Sequence, residues 1–95
     1  MIRNVVMGRL RPDADTDRLD QGLAGIVALG IEGMTEVRVG RNAALRPGNW
    51  DYTITADFTD AAAYKVYDED EEHNRLRREV FGPLSAEIAR IQIEF

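Results

Sequence analysis

The chain of 95 residues contains no cysteine, which excludes disulfides and thiolate-bound zinc or iron–sulfur centres. Histidine occurs once, as His73, so one chain cannot assemble a zinc site from histidine and cysteine ligands. Lysine is nearly absent too. Eleven arginines and Lys65 face 17 acidic residues, for a net charge of −5, and the basic residues are scattered rather than clustered. A nucleic-acid-binding face needs concentrated positive charge against phosphates, so no nucleic-acid partner is expected. No run approaches the roughly 18 apolar residues of a membrane-spanning helix, so no membrane partner is expected either. The opening Met1-Ile2-Arg3-Asn4-Val5-Val6 enters strand-like sequence without a signal-peptide pattern, and a cytoplasmic location is the default expectation. G-x-S-x-G, Walker A, Rossmann glycine and kinase signatures are missing, as is an EF-hand pattern in the acidic run Asp68-Glu69-Asp70-Glu71-Glu72. The expectation is therefore no cofactor and no metal.

What is present is an ordinary globular composition, 44% hydrophobic and 31% charged. The length predicts a single domain over residues 1–95. A chain this short buries only about 60–65% of its unfolded surface, so association with a second copy would add useful burial.

Ile2 to Leu10 is rich in β-branched residues and stops at Arg11-Pro12, which predicts a first strand. Leu19, Leu23, Ile26 and Val27 then recur at helical spacing, with N-cap candidates in 13–17 and Gly30 placed to act as the C′ residue. Met34 to Gly40 alternates, Val37 and Val39 against Glu36 and Arg38, as a second strand does. Asn42 and Pro47-Gly48 mark an exposed connection. In the third strand Trp50, Tyr52, Ile54, Ala56 and Phe58 share one face. Asp60 can cap a short helix through Tyr67. After the acidic run Leu76, Val80 and Leu84 repeat at i+4, and Pro83 should kink or end that helix. Ile91, Ile93 and Phe95 alternate with Arg90, Gln92 and Glu94 in a last strand. The order is β-α-β-β-α-β, an α+β ferredoxin-like subunit with a four-stranded antiparallel sheet covered by helices on one face. Apolar residues on both faces of the first strand (Val5 and Met7, Val6 and Leu10) call for a second layer, which a homodimeric partner can supply.

Taken together, the opening strand, Val39-Gly40-Arg41-Asn42, the strand Trp50 to Phe58, Tyr67-x5-His73 and the closing Ile93-Glu94-Phe95 resemble the stress-responsive α/β-barrel (Dabb) family along essentially the whole chain. The resemblance implies two ferredoxin-like subunits closing into a dimeric α+β barrel, with a small-molecule pocket between sheet and helices. Most members have no established activity. In a plant polyketide cyclase of the family, a tyrosine and a histidine six residues later carry the chemistry, and Tyr67 and His73 fall on them. Its first-strand histidine falls on Asn4 and its last-strand aspartate on Glu94. The resemblance thus makes His73 and Tyr67 the catalytic candidates and Asn4 and Glu94 the substrate-binding candidates. The alternative to a protein of unestablished activity is a small acid/base enzyme of the polyketide-cyclase type. A barrel of the neighbouring cofactor-free monooxygenases and haem-degrading enzymes ranks below both: Asn4 and His73 would fit the asparagine and histidine of the haem degraders, but their tryptophan, expected near the end of the third strand, is replaced by Asp57-Phe58.

Independently of any family, His73 is the only side chain whose ordinary pKa lies near neutrality. On one continuous helix Tyr67 and His73 would point about 240° apart and could not converge. A break between them is expected, because five adjacent carboxylates repel one another, while Asp70 can cap a new helix with Glu71 and Glu72 in its first turn. Those carboxylates favour the imidazolium and the helix N-terminus disfavours it, which leaves the direction of any His73 pKa shift open.

Overall fold

The computed structural model describes every residue, Met1–Phe95. In chain order the elements are β1 (Ile2–Leu10), α1 (Thr16–Val27), β2 (Met34–Arg41), β3 (Tyr52–Phe58), α2 (Ala61–Glu69), α3 (Glu71–Leu76) and β4 (Ser85–Glu94). Between α3 and β4 the helix continues through a π-helical turn, Arg77–Phe81, and one α-helical turn, Gly82–Leu84. The sheet order is β2-β3-β1-β4, antiparallel throughout. This is the expected ferredoxin-like topology.

Local chemistry sets the boundaries. Asp15 caps α1 by accepting from the backbone N–H groups of Asp17 and Arg18. The helix closes on Ala28, and Gly30 takes the left-handed conformation (φ 65°) two residues beyond the cap, one later than expected. Val27, read as part of the apolar face, is largely exposed where the helix end overhangs the core. The alternation of β2 is broken where the register shifts between Thr35 and Arg38, with Glu36 at φ 34°. β4 starts at Ser85, well before the Ile91 alternation, because the helical turn containing Pro83 passes straight into extended backbone.

On the helical side of the sheet the core falls into two clusters. Leu19, Leu23 and Ile26 of α1 pack with Tyr52 and Ile54 of β3 and with Leu76, Val80, Phe81 and Leu84. Ala56, Phe58 and Tyr67 form a second, smaller cluster. Tyr52 reaches the first by lying flat over Gly8, where an added Cβ would fall 2.0 Å from its ring; its hydroxyl shares a 2.8 Å hydrogen bond with Ser85 Oγ. The opposite face carries Val5 and Met7 of β1 beside Ile91 and Ala89 of β4. Met7, Ile91, Ile93 and Phe95 are all exposed there. On the same face Arg3 is locked to Asp57 by two hydrogen bonds, of 2.6 and 2.9 Å.

Candidate functional site

Between the two core clusters lies a cavity of about 580 Å³, with Ile26, Tyr52, Ile54 and Phe81 on one side and Tyr67 on the other. That is within the size range of small-molecule sites. Tyr67, His73 and Asn4 all line it. Glu94 does not: it is exposed near the end of β4, opposite Ile2.

The break between α2 and α3 brings the tyrosine and the histidine together. Asp70 leaves helical conformation (φ −63°, ψ 133°) and caps α3, its Oδ2 accepting the His73 backbone N–H at 2.9 Å. The chain therefore turns between the two residues, and their rings stack with centroids 3.8 Å apart and planes 25° apart. His73 Nδ1 lies 2.8 Å from the Tyr67 carbonyl oxygen. A carbonyl can only accept, so in the neutral ring Nδ1 carries the proton and Nε2 holds the free lone pair. Nε2 has no protein partner, and no side-chain nitrogen or oxygen in the molecule is both sealed from solvent and unpaired. This nitrogen therefore stays accessible to solvent, on a residue that lines the cavity. The same reasoning applies to the Tyr67 hydroxyl, which no protein group pairs.

Electrostatics keep both groups in working protonation states. Burial lowers the His73 pKa below its ordinary value; the Tyr67 carbonyl bond opposes this, Arg77 reinforces it, and Asp68 and Asp70 oppose it more weakly. The acidic run is outweighed by desolvation. Burial, then the neighbouring Tyr64, pushes Tyr67 up to about 12, so its hydroxyl remains a donor at neutral pH. The site thus holds a neutral imidazole base against a protonated phenol.

Asn4 is buried, and its Oδ1 accepts a 2.7 Å hydrogen bond from Gln92 Nε2. Its own amide N–H₂ has no protein partner, and Asn4 lines the cavity. Three further contributors were not anticipated from the sequence: Tyr64 of α2, Arg77 of the π-helical turn and Arg90 of β4. Arg77 Nη1 donates to Asn74 Oδ1 at 3.2 Å and lies 3.8 Å from Asp68. The π-helical turn that presents it is closed by the Gly82 N–H on the Arg77 carbonyl, and a Cβ at Gly82 would come within 2.9 Å of that same oxygen. No group of three or more Asp, Glu or His side chains converges as metal ligands would. In the acidic run Asp70 caps α3, and Glu72 pairs with Arg75. No helix is long and apolar enough to cross a membrane.

The sequence description of the Stress responsive A/B Barrel Domain matches residues 2–95. The chain belongs to this family. No curated protein matches it in sequence. Among solved structures, a dimeric ferredoxin-like protein of unknown function from Thermobifida fusca superposes with a TM-score of 0.89 at 20% identity, over 99% of this chain and 90% of that one. A Dabb family protein from Mesorhizobium loti gives 0.78 at 22% identity, covering 99% and 95%. The hydroxynitrile lyase from Passiflora edulis gives 0.82 at 17% identity, covering 97% and 90%. At these identities the likeness establishes the fold.

Proposed function

We propose that the protein is a homodimeric acid/base enzyme acting on a small molecule held between sheet and helices. His73 is its general base, and the Tyr67 hydroxyl and the Asn4 amide are its hydrogen-bond donors. The observation that carries this reading is the His73 ring: kept neutral by burial, fixed in one tautomer by the Tyr67 carbonyl, with Nε2 unpaired, on the wall of a 580 Å³ cavity. A neutral base needs no prior deprotonation at pH 7, and a fixed ring is already oriented. The Tyr67 phenol beside it can donate to an oxygen on which charge develops as the proton leaves. A hydroxynitrile lyase with this fold supports an enzymatic reading. A similar structure described as dimeric, together with the exposed apolar sheet face, supports the homodimer. Glu94, outside the cavity wall, has no part in this scheme.

The test is a panel of reactions begun by proton removal, cyanohydrin cleavage and aldol closure of a linear poly-β-ketone among them, run with wild type, His73→Ala and Tyr67→Phe. For a substrate that turns over, His73→Ala should lower the rate about 10²–10⁴-fold, and Tyr67→Phe should cost less. An unchanged rate in a folded His73→Ala variant would overturn the assignment.

A further inference from the structure

Charge in the cavity wall runs against the charge of the whole molecule. The chain carries −5 overall, yet the charged residues lining the cavity are three arginines (Arg77, Arg78 and Arg90) against one aspartate, Asp68. Arg77 is already shared with Asn74 and Asp68. Arg78 and Arg90 have no hydrogen-bond acceptor and no ion-pair partner in the protein, and of the two only Arg90 belongs to the sheet. It stands on the sheet opposite Val6, a rigid position rather than a loop, and its positive charge is felt at the Tyr52, Tyr64 and Tyr67 phenols. Arg90 is exposed, so water holds its guanidinium while the cavity is empty, and a fork of this geometry matches a carboxylate or a phosphate.

The remaining wall fits the rest of such a molecule. Ile54, Phe81 and Ile88 offer apolar surface for a short aryl or alkyl body. Phosphate sites commonly add to such a fork a cradle of free backbone N–H groups. At the start of α3 two of those groups are taken, the His73 N–H on Asp70 Oδ2 and the Asn74 N–H on the Asp70 carbonyl. The Gly82 N–H is spent on Arg77.

We infer that the cavity takes a small monocarboxylate with an apolar body, its charge held by Arg90. The inference rests on the proposed small-molecule site and names the substrate class for it. It also assigns Arg90 a binding role distinct from the proton transfer at His73.

The test compares 3-phenylpropanoate with its neutral isostere 3-phenylpropanamide, titrated into the ¹⁵N-labelled protein. Wild type should bind the acid at least about tenfold more tightly, with shift changes at Asn4, Tyr67, His73 and Arg90. Arg90→Gln should bring the acid to the affinity of the amide and leave the amide unchanged, while Arg78→Gln should preserve the preference. Equal binding of acid and amide by wild type would overturn the inference while leaving the small-molecule cavity intact. So would an acid preference that persists in Arg90→Gln. If neither compound perturbs Tyr67 or His73, the inference and the cavity reading fall together.

Discussion

Protonating His73 should destabilise the fold, in a pH window that no other histidine shares. In the unfolded chain the imidazole titrates at about 6.5; in the folded protein burial against Tyr67 holds it lower. Above the unfolded value both states carry a neutral ring, and the full benefit of burying it is present. As the pH falls below that value the unfolded chain takes up a proton that the folded protein refuses, so stability declines. Below the folded pKa both states are protonated and the loss levels off. One proton limits the slope to about 1.4 kcal/mol per pH unit. Carboxylates enter later: Asp57 and Glu72, both held low by their arginine partners, lose their contribution only at more acid pH. Urea unfolding between pH 7.5 and 5.0 at fixed ionic strength should show the decline in wild type and a flatter profile in His73→Gln. Equal slopes in the two proteins, or an NMR titration placing the His73 ring above 6.5, would refute the reasoning. The same titration bears on catalysis, because a base with a lowered pKa is fully available at neutral pH.

Two further outcomes follow from the geometry. Asp70→Ala removes the cap that starts α3 and should cost about 1 kcal/mol; it should also loosen the Tyr67–His73 stack, read as altered ring shifts, whereas Asp70→Asn should restore most of both. A variant with unchanged stability and shifts would show that the helix break does not depend on the cap. Ile91→Asp places a charge on the exposed apolar sheet face without touching the cavity. Wild type should sediment at about twice the 10.7 kDa chain mass and the variant as a monomer at micromolar concentration; a monomeric wild type would remove the homodimer from the proposal.

How far the sequence could be read depended on whether the signal was local. The break between Tyr67 and His73 was legible because its causes, like-charge crowding and a capping aspartate, lie within five residues of one another. The same holds for Asp60 before α2 and for the buried face of β3, where Tyr52, Ile54, Ala56 and Phe58 follow period two. Trp50, expected on that face, precedes the strand and lies under Arg9, beside Val5 and Met7 of the opposite face. The shift in β2 was not legible, since nothing around Glu36 marks a positive φ. Nor was the π-helical turn: its requirement for Gly82 comes from the approach of the Arg77 carbonyl, five residues away around the helix.

The site was half legible for a related reason. His73 and Tyr67 stand out as chemistry, whichever way the chain folds. The arginine of β4 does not, because alternation shows that Arg90 and Gln92 share a face without saying which face the helices cover. A reader who assigns the apolar face inward turns the strand over. In the structure Ile91 and Ile93 point away from the helices and Arg90 and Gln92 point toward them. That inversion puts an arginine and an amide where a core would have carried aliphatic side chains. It fits a core split into two clusters with a cavity between them, because Arg90 and Gln92 both stay exposed and neither fills the space between the clusters. An exposed aliphatic face behind the sheet and a polar inner strand in front of it are thus two consequences of one choice of face. The first suits a second subunit, and the second suits a ligand.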